Sequence, residues 1–327
     1  MISMWILLPM IFFISVIFTG LIRLYVIHKN MFDIPNNRSS HDEPTPRGGG
    51  VSIVLLFTCS TIWLYLQNLI SLSLFYALNG GFIIAIIGWL DDIFIIHPLW
   101  RGVVHILVAI WAVYWIGGLA NFPFSIGYPL AMISIIWCIN LYNFMDGIDG
   151  LAATEGLCMS IVVAFILSLY GFSNMSLLCL LLAASIAGFL VWNWPPAKIF
   201  MGDVGSGYLG YVFAVLALST ANTHLLPLTF WMTISALFLC DATWTVLFRL
   251  WRGERLYEAH REHAYQRLVQ KGISHLNVTI SAAMINIFVL FPIAILMLYY
   301  PSLQFQLLSF LLAMLFVVWN SIRKIRA

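Results

Sequence analysis

Long apolar runs recur from one end of the chain to the other and restrict its fold more than any other feature. A helix needs about 20 apolar residues to cross the hydrocarbon core of a bilayer. The chain carries about eleven such runs, near residues 3–22, 49–66, 71–90, 102–119, 128–145, 151–170, 175–193, 205–221, 225–247, 276–299 and 302–320. It is 62% hydrophobic and 9% charged over 327 residues, a balance that a soluble domain with a solvated surface does not tolerate. The sequence therefore predicts an all-α integral membrane protein, a polytopic bundle of about 10–11 transmembrane helices.

The apolar runs also define the domain organisation. No long polar stretch separates them, so a second globular domain has no segment in which to fold. We expect residues 1–327 to form a single transmembrane domain that contacts the lipid bilayer and has no nucleic-acid partner. The five cysteines lie inside apolar runs and lack the short pairwise spacing of a zinc or redox motif.

Basic residues predict how the helices are oriented, because cytoplasmic loops of membrane proteins are enriched in Lys and Arg. If the loop after the first run is cytoplasmic, all 15 Lys and Arg lie on that side. They are Arg23, Lys29, Arg38, Arg47, Arg101, Lys198, Arg249, Arg252, Arg255, Arg261, Arg267, Lys271, Arg323, Lys324 and Arg326. The carboxylates fall on or near the same face. We therefore expect the polar chemistry of the chain to reside in cytoplasmic active-site loops.

The motif GWLDDIF places Asp91 and Asp92 at the end of an apolar run. A solvated helix end would explain the pair, although negative charge at a helix C-terminus opposes the helix dipole. Two carboxylates beside a membrane can instead hold a cation, orient a nucleophile or accept a proton. Both interpretations remain open from the sequence.

The motif NLYNFMDGIDG contains two asparagines and two aspartates at three-residue spacing. On a straight helix Asn140, Asn143 and Asp146 stay within an arc of about 120°, whereas Asp149 turns toward the far side. The glycine after each aspartate lets the backbone bend and bring the second aspartate back. A polar helix cap with turn glycines explains the first aspartate but not the two asparagines, so the motif favours a functional site.

Glycine-rich segments open two other predicted helices. In FMGDVGSGYLGY, Asp203 lies among glycines that either let a phosphate or a metal-bound carboxylate approach a helix N-terminus or serve helix packing. In PTPRGGGVSI, Arg47 precedes a triple glycine that suits an anion as well as it suits a tight interfacial loop. Asp203 is the stronger of the two signals.

The late polar loop FRLWRGERLYEAHREHAYQRL combines histidines with arginines. His260 and His263 can share a helix face with Arg267 one turn further on, which would supply donors for a phosphate. A basic loop beside the membrane is also an ordinary topology signal or lipid-headgroup contact. Acidic clusters and basic loops on one face are compatible if the substrate carries phosphates bridged by a divalent cation, most naturally Mg²⁺. The sequence thus predicts a metal-dependent phosphoryl-group chemistry.

Four motifs carry a family resemblance. GWLDDI, NLYNFMDGIDGLAATEG, FMGDVGSGYLG and HREHAYQRL, in this order, closely resemble the polyprenyl-phosphate N-acetylhexosamine-1-phosphate transferases of glycosyltransferase family 4, over about residues 35 to 270. The resemblance implies that a membrane polyprenyl phosphate, undecaprenyl phosphate in bacteria, attacks the sugar-proximal phosphorus of a UDP-N-acetylhexosamine. The products would be a polyprenyl-diphospho-sugar and UMP.

The resemblance also assigns roles to residues. It implies Mg²⁺, with Mn²⁺ as an alternative, held by Asp203 and Asp92. It implies the catalytic residues Asp91, Asp92, Asp146, Asp149, His260 and His263. Substrate would be bound by Asn140, Asn143, Arg47, Arg101, Lys198 and Arg261. Asp91 would position the acceptor or act as a covalent nucleophile, and we expect direct attack because a lipid phosphate is already anionic.

Two features place the chain nearest to the transferases that initiate O-antigen or related surface polysaccharides. The late loop reads HREH where the peptidoglycan branch carries a run of histidines, and the first loop, RSSHDEPTPRGGG, matches that branch only in part. Alternatives are the peptidoglycan or teichoic-acid initiating enzymes and, from another class, a membrane transporter. Transporters place intramembrane carboxylates near the midplane rather than on one face. We expect a multi-pass protein of the bacterial inner membrane, with a homodimer as its expected assembly.

Overall fold

The computed structural model describes residues 4–35, 43–94, 96–255 and 260–324. Arg38 and Arg326, two of the basic residues used for orientation, lie outside these ranges. The described residues form fifteen α-helices and one short antiparallel hairpin of β1 (Phe32–Asp33) and β2 (Thr45–Pro46). The helices are α1 (Met4–His28), α2 (Val51–Leu66), α3 (Leu72–Asn79), α4 (Gly81–Phe94), α5 (Pro98–Ile116), α6 (Phe124–Phe144), α7 (Leu151–Leu169), α8 (Ser173–Asn193), α9 (Asp203–Asn222), α10 (Leu228–Ile234), α11 (Ala236–Trp251), α12 (Ala264–Gln270), α13 (His275–Ile285), α14 (Phe291–Tyr299) and α15 (Gln304–Lys324).

The helices confirm the predicted polytopic membrane fold. Within the described ranges, nine helical segments are long and apolar enough to cross a bilayer, and a tenth is the pair α10 and α11, which is bent by 81°. Helices α3 and α4 form one such segment, and α13 continues through a π-helical turn at Asn286–Leu290 into α14. Helix α2 is apolar but has only 16 residues. Each predicted run therefore corresponds to a helix or a pair of helices.

Helix α9 lies at the centre of the bundle, and 15 of its 20 residues are buried. Its glycines allow the backbones of neighbouring helices to approach closely. A Cβ on Gly210 would collide with the Cys138 carbonyl of α6, and one on Gly205 would lie 2.7 Å from the Gly50 Cα at the start of α2. The packing interpretation of these glycines is therefore confirmed, as expected for small residues between membrane helices.

The triple glycine also serves packing, because it binds the loop that leads into α9. The Gly49 amide donates to the Phe200 carbonyl at 2.9 Å, and the Gly50 amide donates to the Met201 carbonyl at 2.9 Å. The Phe200 amide in turn donates to the Pro46 carbonyl at 2.8 Å. Two of the glycine amides are thus satisfied within the protein, which favours a tight loop over an anion site. The contact fixes the loop after α1 against the start of α9.

Candidate active site

An arginine joins two of the predicted aspartates. Asp91 lies in the last turn of α4, Asp203 begins α9, and Arg101 lies in the first turn of α5. The Nη1 atom of Arg101 is 2.5 Å from Asp91 Oδ2 and 2.9 Å from Asp203 Oδ2. Asp91 Oδ1 also accepts a hydrogen bond from the Ile96 amide at 2.5 Å. Three helices thus bring two carboxylates to a single positive group.

Asn143 connects this cluster to α6. Its Nδ2 atom donates to Asp203 Oδ1 at 2.8 Å and lies 3.1 Å from Ser206 Oγ. Both oxygens of Asp203 therefore accept hydrogen bonds, one from Arg101 and one from Asn143. The carboxylate has a fixed orientation at the N-terminus of α9, where the helix dipole favours negative charge.

Asp92 has a different environment from its neighbour Asp91. Its side chain is only 1% exposed, and its two oxygens accept the amides of Asp203 and Val204 at 3.2 and 3.4 Å. Asp92 thereby caps α9, whose own N-cap residue, Gly202, has no side chain for this purpose. Arg47 donates from Nε to the Asp92 carbonyl at 3.1 Å and lies 3.7 Å from its carboxylate. Arg47 and Asp92 therefore hold the helix terminus that presents Asp203.

Asp146 follows α6, and its amide donates to the Asn143 carbonyl at 3.2 Å. Burial raises the pKa of Asp146 well above its usual range, and the negative charges of Asp203, Asp92 and Asp149 raise it further. The four carboxylates are therefore close enough to interact electrostatically. Because these negative charges repel one another, the site favours the binding of a proton or a cation.

Asp149 lies close enough to Asp146 to raise its pKa, as expected if the backbone bends between the two aspartates, but its oxygens face other partners. Its Oδ2 atom accepts the Ala197 amide at 3.0 Å, and its Oδ1 atom lies 3.3 Å from His275 Nδ1. Gly150 has φ +72°, so a glycine does permit the bend after this aspartate. The contacts join the α6–α7 loop to the α8–α9 loop and to α13. Sequence reasoning missed His275, because a lone histidine after a polar turn carries no motif.

The segment that precedes α12 and contains His260 and His263, the histidine loop, differs from the predicted helix. Helix α12 begins at Ala264, so His260 and His263 precede it and do not share a helix face with Arg267. His263 is 2% exposed, stacks on Phe144 and Tyr265, and lies with Nδ1 3.6 Å from Asp241 Oδ1. His263 is thus held between α6 and α11, and its catalytic role stays a prediction.

Asp241 of α11 organises this loop and was not among the predicted site residues. It accepts the Ala264 amide at 2.8 Å and the Tyr265 amide at 3.3 Å, and so caps α12. The Tyr265 hydroxyl donates to the Phe144 carbonyl at 2.8 Å, which places the loop against the end of α6. Burial, together with the positive charges of His263 and Arg249, lowers the pKa of His260 to about 4. His260 is therefore neutral at pH 7.

Three predicted substrate-binding residues remain, Asn140, Lys198 and Arg261. Asn140 lines a small cavity of about 40 Å³ beside Asp203, Arg101 and His105, and its own amide donates to the Ile136 carbonyl at 2.7 Å. Lys198 is exposed and lies over the ring of Trp192, outside the aspartate cluster. The carbonyl of Arg261 accepts from Gln270 Nε2 at 2.8 Å in the histidine loop.

Some of the carboxylates in this cluster suit a divalent cation. Among the described residues, no group of three or more His, Cys, Asp or Glu side chains is arranged to hold a metal ion. Mg²⁺ is commonly held by one or two carboxylates together with substrate phosphates, and Asp91 and Asp203 already face one positive group, Arg101. These two carboxylates therefore fit the ion. Asp92 as a ligand stays a prediction, because its oxygens face the amides of α9.

Comparison with known proteins identifies the family. Residues 74–221, which contain the aspartate cluster, match the profile of glycosyl transferase family 4. A Bacillus subtilis (strain 168) protein named probable undecaprenyl-phosphate N-acetylglucosaminyl 1-phosphate transferase is 30% identical in an alignment of 275 residues that covers 79% of this chain and 75% of the relative. The chain belongs to glycosyl transferase family 4.

Two further relatives resemble the chain over a similar share of its length. The decaprenyl-phosphate N-acetylglucosaminephosphotransferase of Mycobacterium leprae is 28% identical in an alignment of 303 residues that covers 80% of this chain and 76% of the relative. The undecaprenyl-phosphate alpha-N-acetylglucosaminyl 1-phosphate transferase of Yersinia pestis is 28% identical in an alignment of 283 residues that covers 81% of this chain and 76% of the relative. The family resemblance predicted from the four motifs is thus confirmed.

Proposed function

We propose that the protein transfers N-acetylglucosamine-1-phosphate from UDP-N-acetylglucosamine to undecaprenyl phosphate. An oxygen of the lipid phosphate forms a bond to the sugar-proximal phosphorus. The bond from that phosphorus to the bridging oxygen breaks, and UMP leaves with the electron pair. The observation that carries the proposal is the cluster of Asp91, Arg101 and Asp203 in a chain of family 4. The names of the relatives support the sugar and the lipid class.

The contacts of Asp91 support direct attack by the lipid phosphate. One carboxylate oxygen accepts the Ile96 amide and the other faces Arg101, so both are engaged within the protein. A covalent nucleophile needs a free oxygen directed at phosphorus. In the proposed reaction Arg101 leaves Asp91 and Asp203, which then hold a metal ion, and orients phosphate oxygens, while Asn143 fixes Asp203. Positioning of two anions in line provides most of the catalysis expected for such a transfer.

Asp91 and Asp203 would hold Mg²⁺, which supplies positive charge to offset the diphosphate of the donor. Arg47 acts indirectly, because it binds the backbone carbonyl of Asp92. Asp146 lies among the carboxylates at the end of α6, where its retained proton or a neighbouring cation limits repulsion of the substrate phosphates. His263 and Asp241 position the loop that borders Asp146 through Tyr265 and Phe144.

An apolar cavity of about 230 Å³ offers a place for the isoprenoid chain. It lies between α6, α9 and the bend of α10 and α11, and is walled by Ile135, Phe213 and Phe238. Tyr142, also in its lining, is the neighbour of Asn143 in the aspartate cluster. Met232, at 38% exposure, lies where the cavity meets the outer surface of the bundle. The proposal places the lipid chain here with its phosphate toward Asp203.

We further propose that the site faces the cytoplasm of a bacterial inner membrane and that the product initiates O-antigen or a related surface polysaccharide. The orientation is supported by the basic residues, which fall on the face that carries the aspartates. The pathway is supported by the HREH loop. Initiation of peptidoglycan or teichoic acid is the competing assignment, and the donor sugar separates the peptidoglycan enzyme from the others.

The test uses the purified full chain with undecaprenyl phosphate, Mg²⁺ and either UDP-N-acetylglucosamine or UDP-N-acetylgalactosamine. UMP and the lipid product are measured by mass spectrometry. We expect UMP and a lipid-diphospho-N-acetylglucosamine in equal amounts, and neither without lipid phosphate or with EDTA. Absence of UMP with every donor, from a folded protein, would overturn the enzyme assignment. A phosphorylated Asp91 formed from donor alone would overturn direct attack.

A further inference from the structure

Trp192, near the end of α8, is held rigidly against α1. Its Nε1 atom donates to the Val16 carbonyl at 2.9 Å. A Cβ on Gly20 of α1 would lie 2.9 Å from the indole ring, so the helix backbone packs directly against it. The ring is partly exposed at the end of two membrane helices, a position where Trp is common in membrane proteins. Trp192 therefore forms a fixed aromatic surface at the edge of the bundle.

Two positive side chains share this surface. The guanidinium carbon of Arg23 is 5.9 Å from the centroid of the Trp192 ring, and Lys198 Nζ is 5.6 Å from it. Arg23 Nε also donates to the Lys198 carbonyl at 3.1 Å. The Lys198 amide donates to the Trp192 carbonyl at 2.8 Å, and this fixes the path of the loop. Hydrogen bonds thus fix the Arg23 side chain and the Lys198 backbone beside the ring that both cations contact.

The two cations have no acidic partner in the described part of the chain. There, carboxylates pair with other arginines, including Arg47, Arg101 and Arg252, but with neither Arg23 nor Lys198. The two positive charges repel each other, and their contacts with the aromatic ring offset this repulsion only in part. An anion between them would remove the repulsion. Among the described residues Arg23 uses only Nε toward the protein, so its remaining guanidinium donors are available to such an anion.

We propose that Arg23, Lys198 and Trp192 bind the phosphate of an anionic lipid headgroup at the bilayer surface. Arginine suits phosphate through its paired N–H groups, and basic residues at the ends of membrane helices attract anionic lipids. The site is separate from the aspartate cluster. Asp149 accepts the amide of Ala197, whereas the next side chain, Lys198, turns to Trp192. This explains why Lys198, predicted to bind substrate, lies outside the cluster.

The test measures binding of dioleoyl phosphatidylglycerol to the purified full chain in detergent, by native mass spectrometry and by thermal unfolding. Dioleoyl phosphatidylcholine and inorganic phosphate are titrated in parallel. Arg23→Gln with Lys198→Gln should weaken phosphatidylglycerol binding roughly thirtyfold, and Lys198→Gln alone about fivefold. Lys271→Gln, at an exposed lysine that follows α12 and has no ring contact in the described structure, is the matched control and should bind like the parent.

The possible results distinguish a lipid headgroup from free phosphate as the ligand. Stabilisation by phosphatidylglycerol that depends on Arg23 and Lys198 supports the lipid site. Stabilisation by inorganic phosphate alone, with the same dependence, identifies a free phosphate as the ligand and overturns the lipid source. Equal phosphatidylglycerol binding by the parent and Lys198→Gln overturns the site, and so does equal binding of phosphatidylcholine and phosphatidylglycerol by the parent. Lys198→Gln changes an exposed side chain, so this arm remains informative if the double variant does not fold.

Discussion

Asn143 donates a hydrogen bond to Asp203 at 2.8 Å and so joins the end of α6 to the start of α9. The two residues are 60 positions apart and belong to different motifs. Their contact brings the Asp146 segment to the carboxylates that face Arg101. The proposed transfer depends on this junction.

Asp203→Asn should reduce transfer by about a hundredfold or more, because it removes the negative charge that faces Arg101. The amide keeps a group of the same size at the start of α9, so the melting temperature should change little. UMP release under saturating donor and lipid measures the effect. Ser206→Ala is the control, since it removes a neighbour of Asn143 but leaves Asp203 charged. Nearly full activity of Asp203→Asn would contradict the proposed site.

Arg101→Gln should bind Mg²⁺ more tightly although it transfers poorly. The guanidinium occupies the space between Asp91 and Asp203, and its removal leaves two carboxylates without a cation. Thermal stabilisation by MgCl₂ should reach its midpoint at about fivefold lower concentration than in the parent. Lys271→Gln, which removes a positive charge from an exposed position, should leave the midpoint unchanged. An unchanged midpoint in Arg101→Gln would show that the two carboxylates do not hold the ion.

Asp146→Asn should abolish transfer and also flatten the dependence of stability on pH in the absence of Mg²⁺. The pKa of Asp146 is raised, so the folded protein retains a proton that the unfolded chain releases. The resulting stabilisation is full below the usual carboxyl value of 3.8 and decreases as the pH rises toward the raised pKa. Melting temperatures from pH 4 upward measure the slope. The exposed Glu43→Gln is the control. A variant that melts with the slope of the parent would refute the proton assignment, and an active variant would refute the site.

Asp241→Ala should release the histidine loop by removing the acceptor of two amides at the start of α12. Loss of such a cap costs about 1 kcal/mol of stability. We expect the KM for UDP-N-acetylglucosamine to rise more than kcat falls, because the loop borders the site without carrying the reaction. Asp241→Asn should recover part of the loss. Thr245→Val, which removes one bond to Asp241, should change KM little. Unaltered kinetics in Asp241→Ala would show that the loop does not bind the donor.

Gly50→Ala should destabilise the protein, because the added methyl group would meet the backbone of Gly205, which has no side chain that can move away. Overpacking of this kind costs about 1–3 kcal/mol. Gly102→Ala is the matched control, since no atom of the described residues lies within 4 Å of the position that its added methyl group would take. Melting temperature and the yield of folded protein measure the difference. Equal stability of the two variants would contradict the close contact between α2 and α9.

The sequence predicts the membrane helices and the clustering of the aspartates because both follow from local patterns. Apolar runs of fixed length specify the spans, and motifs that end on the same side bring Asp91, Asn143 and Asp203 together. Asp241 and His275 could not be predicted, since each acts on a residue far along the chain. The spacing of HREH predicts a helix, but the cap supplied by Asp241 starts the helix after His263. Long-range hydrogen bonds decide these features.

Asp92 gives the site an evolutionary constraint. Its carboxylate accepts the first amides of the most deeply buried helix, so a substitution there damages the scaffold together with the chemistry. Variants at Asp92 are therefore expected to be lost through misfolding before a new activity can be selected. Divergence of specificity would have to begin at the histidine loop, whose path can change while the centre of the bundle stays intact.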